Sequence, residues 1–238
     1  MPTDMLRPHS GAISALRLAV GAAIVVVAFL STRAVVDAHS SSASYPYEYP
    51  ADTTVPFFYH SSVPSGAKPR ITEGSQQWTN VRTRHAFRPD VAQLDDTGRD
   101  CNTEAINART GIVYWEGIDG SPSGGSTVAT ASRCRSGSSP SYLLAFRMTF
   151  DSAEPWYMGT STTVPAGQPD LASVAAHEMG HATGFKGHFD DAGSVPECAR
   201  LAPTYMTHAM CKSIRQGVAQ HRVLREHDTH TYKGAYDN

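Results

Sequence analysis

The chain has 238 residues and a formal net charge of −2, a length that suits one domain of ordinary size once an N-terminal leader is removed. Its 20 basic and 22 acidic residues form no basic stripe that would neutralise phosphates, so we expect no nucleic-acid partner. Seven of the 11 histidines lie between His177 and His230, and this clustering indicates which part of the chain carries the chemistry.

The N-terminal residues have the features of an export signal. Arg7 and Arg17 precede an apolar run of 13 residues, Leu18–Leu30, and the small-x-small pattern V-D-A stands before His39. A membrane-spanning helix needs about 20 apolar residues. We therefore predict a signal peptide over 1–38, a secreted protein, and no stable membrane association after cleavage. The alternative is an uncleaved signal anchor that keeps the domain at the membrane.

The segment that follows, residues 39–70, is rich in Ser, Pro and Tyr. Prolines break helices and central strands, so we predict a linker or a propeptide lying across a cleft. The globular domain is predicted over residues 71–238.

Several elements are predicted within this domain. β-Branched and aromatic content, alternation of apolar and polar residues, and flanking Gly, Ser and Pro decide the strands. We predict a first strand within Trp78–Phe87, strands at Gly111–Ile118, Thr127–Cys134 and Leu143–Phe150, and a short helix at Cys101–Ala108.

Two further helices are predicted in the C-terminal half. The first begins after Asp170, a natural N-cap, and runs through H-E-M-G-H to a stop near Gly184. The second covers Gly217–Tyr232. A metal role for His227 and His230 in this last helix is weighed and set aside in favour of local hydrogen bonding.

The first of these helices carries the motif H-E-x-x-H. His177 and His181 are four residues apart, so on a helix they project from one face and can reach a single zinc ion. Glu178 projects beside them and can act as general base toward a water that the metal makes more acidic. The plainer alternative is a helix with two solvated or core histidines.

The continuation of the motif resembles that of the metzincin metalloproteases, H-E-x-x-H-x-x-G-x-x-H followed by a methionine turn. Gly184 matches, but Gly187 stands where the third histidine is expected, and His188 comes one residue later. We favour His188 as the third ligand because a glycine-containing turn can absorb one residue. The rivals are Asp190, Asp191 and His208.

The run from Leu143 through the motif resembles the matrixin branch of the metzincins in particular. The resemblance implies an α+β, metzincin-like fold, with a twisted, mostly parallel sheet packed on the active-site helix and a C-terminal helix that is scaffold. It also implies an edge strand that pairs with substrate, and a methionine beneath the metal, for which we favour Met210 over Met206.

The predicted function is that of a secreted zinc endopeptidase acting on proteins or peptides, with metal ligands His177, His181 and His188 and general base Glu178. The alternatives are a site completed by Glu197, a catalytically inactive zinc-binding extracellular interaction domain, and a secreted binding protein with an accidental motif. Calcium binding at Asp190, Asp191 or Asp95-Asp96 has no supporting spacing. Oligomeric state and substrate preference are left open.

The four cysteines are expected to form disulfides in an exported protein. We predict the two local pairs, Cys101–Cys134 and Cys198–Cys211. No cysteine precedes Cys101, so a cysteine in the N-terminal segment cannot block the zinc.

Overall fold

A computed structural model describes residues 49, 54–81, 86–89, 110–118, 127–135, 143–189, 208–212, 216–219 and 221–236. All of them belong to one unit, Ser40–Asn238. The predicted leader and the helix predicted at Cys101–Ala108 lie outside these residues, so both stay predictions. None of the helices within the described ranges is both long and apolar enough to span a bilayer.

The described strands form one mixed sheet. They are β1 (Thr54–Tyr59), β2 (Ala86–Pro89), β3 (Gly111–Glu116), β4 (Ala129–Arg135) and β5 (Leu143–Asp151). Their order across the sheet is β2-β1-β3-β5-β4, and every neighbouring pair is parallel except β4 and β5. The mostly parallel sheet is therefore as predicted, and β4 is an antiparallel strand at one edge.

Three of the strands confirm predictions made from the sequence. β3, β4 and β5 agree with the predicted ranges to within two residues at each end. On β5 the side chains of Phe146, Met148 and Phe150 are buried, whereas Arg147 between them is partly exposed. The apolar face of this strand therefore lies in the core as predicted, although Thr149 on the other face is also buried.

β1 lies in the segment that the sequence assigned to a linker. It pairs with β2 on one side and with β3 on the other, and Val55 and Phe57 are fully buried. Pro56, which argued against a strand, lies before the first β1–β3 partners, Phe57 and Gly111, so its missing N–H removes no bond to β3. The folded domain consequently begins before residue 71; a propeptide role for residues 39–53 stays a prediction.

The strand predicted within Trp78–Phe87 is found only at the end of that range. Trp78 belongs to helix α1 (Lys68–Asn80), and only the end of the predicted range contributes to β2. The buried positions of α1 are Ile71, Gly74, Ser75 and Trp78, the spacing of a helix face. Two of the four are small residues, so hydrophobicity alone did not reveal this face.

Helix α2 (Leu171–Ala182) carries the H-E-x-x-H motif and packs between α1 and the sheet. Asp170 caps it as predicted, because its buried carboxylate accepts the N–H of Ser173 at 3.0 Å. The guanidinium of Arg222 pairs with the same carboxylate and also donates to the carbonyls of Gly159 and Thr160. The N-terminus of the motif helix is therefore fixed by a buried ion pair as well as by its cap.

The C-terminal helix, α3 (Glu226–Tyr236), begins nine residues later than predicted. The chain before it is held by tertiary contacts instead: Gly217 donates its N–H to Gln168, and the buried Arg222 binds Asp170. The helix starts where Asp228, in its first turn, accepts the N–H of Arg225 at 2.8 Å.

The two cysteines within the described ranges, Cys134 and Cys211, are both disulfide-bonded. Their predicted partners, Cys101 and Cys198, lie outside those ranges, so the pairing stays a prediction.

The close approach of α1 to α2 depends on Gly74. A Cβ atom at this position would lie 2.5 Å from Ala176 N and 2.6 Å from Ala172 O, backbone atoms that cannot rotate away. The indole N–H of Trp78 donates to Ala176 O at 2.7 Å across the same contact. The two helices are thus packed backbone to backbone behind the motif.

We predict that Gly74→Ala lowers the free energy of unfolding by about 1–3 kcal/mol, since the added methyl group overpacks the helix contact. Gly234→Ala is the matched control: Gly234 lies in α3, and a Cβ atom added there would meet nothing within 4 Å. Alanine there should stabilise by about 0.5–1 kcal/mol. Urea unfolding measures both changes, and an equal response of the two variants would contradict the close helix approach.

Candidate metal centre

α2 places two histidine rings side by side near its C-terminal end. The ring centroids of His177 and His181 are 4.8 Å apart, and their Nε2 atoms are 3.2 Å apart. His177 is 4% exposed, whereas His181 is partly exposed. The pair therefore sits at the boundary between the core and the surface.

Two backbone carbonyls fix the tautomers of these rings. Nδ1 of His177 lies 2.7 Å from Ala209 O, and Nδ1 of His181 lies 3.1 Å from Phe185 O. A carbonyl oxygen can only accept, so each Nδ1 carries the proton. In its neutral form each ring then has an unprotonated Nε2, the arrangement typical of metal-ligating histidine.

The donor set fits a metal ion. When both rings are neutral with their protons on Nδ1, the two Nε2 atoms present lone pairs to each other at 3.2 Å, an unfavourable contact without a cation between them. Two nitrogen atoms bound to one tetrahedral zinc ion at about 2.0–2.1 Å would be about 3.3 Å apart. Burial is the main cause that lowers the pKa of His177 well below its usual value, and repulsion from His181, when that ring is protonated, adds to it; the ring of His177 is therefore neutral and can bind a cation.

His188 completes the group. Its ring centroid lies 5.2 Å from that of His177 and 5.0 Å from that of His181. One potential ligand atom from each of the three histidines lies within 4.8 Å of the others. The structure therefore brings the three predicted ligands together, with one residue more than the metzincin spacing.

Two glycines let the turn carry the extra residue. α2 ends in a Schellman motif, in which Phe185 N donates to Gly180 O at 3.2 Å and Gly184 N donates to His181 O at 3.0 Å. Gly184 has φ +111° and Gly187 has φ +73°, values that favour glycine. The second left-handed residue precedes His188 and turns the chain back toward α2.

The rival ligands divide into two groups. His208 lies outside the three-histidine group: its Nδ1 is 3.7 Å from Asp228 Oδ2, and its ring packs against Phe189. Asp190, Asp191 and Glu197 lie outside the described residues.

Glu178 is buried beside the histidines and is 6% exposed. Burial raises its pKa from 4.5 to about 8. A divalent cation nearby would oppose this shift and favour the carboxylate. The predicted base is thus in a setting where its charge state is coupled to metal binding.

Met210, the favoured methionine, packs against Gly180 of α2, the residue that precedes His181. It is fully buried, and a Cβ atom at Gly180 of α2 would overlap its sulfur. Its carbonyl accepts the N–H of Phe189 at 3.1 Å, which links this turn to the residue after His188. Met206 lies outside the described residues.

Asp228 anchors the same turn from helix α3. Its fully buried carboxylate accepts the N–H groups of Ala209 at 3.0 Å and Met210 at 3.1 Å. The carbonyl of Ala209 accepts Nδ1–H of His177. Ala209 therefore links the carboxylate of Asp228, which binds its N–H, to the ring of a predicted ligand, which binds its carbonyl. The sequence analysis treated this helix only as scaffold and did not single out Asp228. An acidic residue in the first turn of a helix is a recognisable signal, but the predicted helix began nine residues too early for Asp228 to stand in its first turn.

We predict that Asp228→Asn weakens zinc binding by about 10–100-fold, because its amide leaves one acceptor for the backbone N–H groups of the turn. Glu226→Gln is the control, since Glu226 is an exposed acid of the same helix turn. Competition with a chelator measures both affinities. Equal zinc affinity in Asp228→Asn and wild type would show that the turn is held without this carboxylate.

One of the comparisons with known proteins, the family-model match, agrees with the motif. Residues 119–216, less than half of the chain, match the family model described as matrixin, a peptidase family. Comparison with curated proteins found no match. A solved structure of myroilysin is 14% identical, with a TM-score of 0.38, over 79% of this chain and 82% of that chain. The resemblance to matrixins is thus confirmed for the stretch from before β4 to beyond Met210, which includes all three histidines.

Proposed function

We propose that the chain is a secreted zinc-dependent endopeptidase in which His177, His181 and His188 hold the metal and Glu178 is the general base. The observation that carries this proposal is the convergence of two histidine Nε2 lone pairs at 3.2 Å, with a third histidine beside them. The matrixin match over the same residues supports peptide-bond hydrolysis as the chemistry.

Each group in the proposed site has a separate role in the reaction. Zinc, when bound, makes water more acidic and polarises a carbonyl group. The carbonyls of Ala209 and Phe185 keep the two helix histidines in the tautomer that binds a cation. Glu178 takes a proton from the attacking water and transfers it to the leaving amine.

The edge strand β4 offers a place for an extended peptide. Among the described strands it pairs only with β5, and it contacts α2. A substrate backbone can add to such an edge by main-chain hydrogen bonding. We propose that proteins or peptides bind in this way, next to the histidines.

Export is proposed from the leader sequence and fits the disulfide-bonded Cys134 and Cys211, because disulfides persist in oxidising compartments. An uncleaved anchor is the alternative. The second candidate function is a catalytically inactive zinc-binding interaction domain outside the cell. The buried Glu178 favours the enzyme, since a purely structural zinc site does not require a base.

We predict that Glu178→Gln keeps bound zinc and loses at least about 100-fold in kcat/KM toward casein, as expected for removal of a general base. Zinc content by mass spectrometry and casein cleavage with and without o-phenanthroline are the measurements. Glu73→Gln is a control, because this partly exposed acid on α1 pairs with Arg70 instead. Wild-type cleavage by Glu178→Gln would remove the base from the mechanism; zinc-loaded wild type without cleavage would favour the interaction domain.

A further inference from the structure

The turn that connects α2 to His188 is held from outside by side chains of three distant segments. The end of a helix leaves backbone carbonyls without partners in the helix. Here Ala182 O accepts the hydroxyl of Tyr49 at 3.2 Å, and Thr183 O accepts the hydroxyl of Tyr236. Phe185 O accepts Nη1–H of Arg133 at 3.0 Å.

These contacts are buried where they meet the turn. Ala182, Thr183 and Phe185 are fully buried, and Tyr49 and Tyr236 are 3% and 5% exposed. Burial raises the pKa of Tyr49, so its hydroxyl keeps the proton that it donates. A buried carbonyl that loses such a donor is left without solvent to replace it.

The contacts also connect to one another. The backbone N–H of Tyr49 donates to the hydroxyl oxygen of Tyr236 at 3.4 Å, while that hydroxyl donates to Thr183 O. The carbonyl that accepts Arg133 is the one that accepts Nδ1–H of His181. The N-terminal segment, α3 and β4 therefore converge on one turn beside the metal-site histidines.

We propose that Tyr49, Tyr236 and Arg133 are positioning residues that set the place of His188 relative to the two helix histidines; this inference rests on the proposed metal site. The need for them follows from the extra residue in the turn. Gly184 and Gly187 admit that residue but give the backbone more conformations to choose from. The three external donors bond the carbonyls of Ala182, Thr183 and Phe185, and so hold the backbone from which the chain continues to His188.

The proposal gives the N-terminal segment a role. Tyr49 belongs to the segment predicted as linker or propeptide, yet its ring lies in the same core cluster as Trp78 and Met210. Proteolytic cleavage before Tyr49 would keep its hydroxyl on the turn, whereas cleavage after Tyr49 would remove this donor.

The test uses Tyr49→Phe and Tyr236→Phe in the full chain, each of which removes one hydroxyl and keeps the ring. We expect zinc affinity in chelator competition to fall about 10-fold in each, in line with other losses of partners behind metal ligands. The absorption spectrum of the Co²⁺-substituted protein should also change, because it reports coordination geometry. Tyr59→Phe is the matched control: its hydroxyl bonds Lys68 O and Thr72 rather than the turn.

A purely structural role would lower the unfolding temperature without changing the metal affinity or the Co²⁺ spectrum of the folded protein, and that result would overturn the proposal. Arg133→Gln, on the partly exposed edge strand, provides the same test if a tyrosine variant does not fold. Failure of wild type to bind zinc would instead contradict the proposed function. Wild-type binding with unchanged variants would contradict only the positioning role.

Discussion

The site depends on two neighbouring imidazoles that cannot turn their protons toward each other. Both Nδ1–H groups are committed to backbone carbonyls, at 2.7 Å for His177 and 3.1 Å for His181. The Nε2 lone pairs therefore meet at 3.2 Å. Neutral nitrogen atoms placed in this way favour a cation, and much of the surrounding structure keeps them there.

Two buried carboxylates hold the backbone segments that carry or contact these imidazoles. Asp170 caps the start of α2 and pairs with Arg222, while Asp228 holds the turn whose carbonyl orients His177. Each satisfies several donors, which is the condition under which a buried charge is tolerated. The motif helix is thus held at its N-terminus by one carboxylate, and the turn that contacts His177 is held by another.

The sequence predicted the parts of the molecule that are encoded locally. The motif, the N-cap at Asp170 and the alternating strand at Leu143–Phe150 each depend on neighbours within a few positions, and each agrees with the structure. β1 was missed because Pro56 argued against a strand, although it lies outside the β1–β3 register. The helix face of α1 was missed because Gly74 and Ser75 are buried without being hydrophobic.

The contacts around the turn after α2 depend on distant partners. Tyr49 and Ala182 are separated by 133 positions, and Tyr49 and Tyr236 by 187. No pattern within a short window reveals such a pair. The placement of His188 is the intermediate case: its identity was predicted from the glycine turn, but its approach to the other two histidines required the three-dimensional structure.

The central claim is that three imidazoles hold one zinc ion. X-ray absorption of the zinc-loaded full chain tests it most directly, with His188→Ala measured alongside. The account predicts one zinc per chain, three imidazole ligands at about 2.0–2.1 Å in wild type, and two in the variant together with weaker binding. Three imidazoles and full affinity in His188→Ala, or a zinc site with fewer than three imidazoles in wild type, would contradict it.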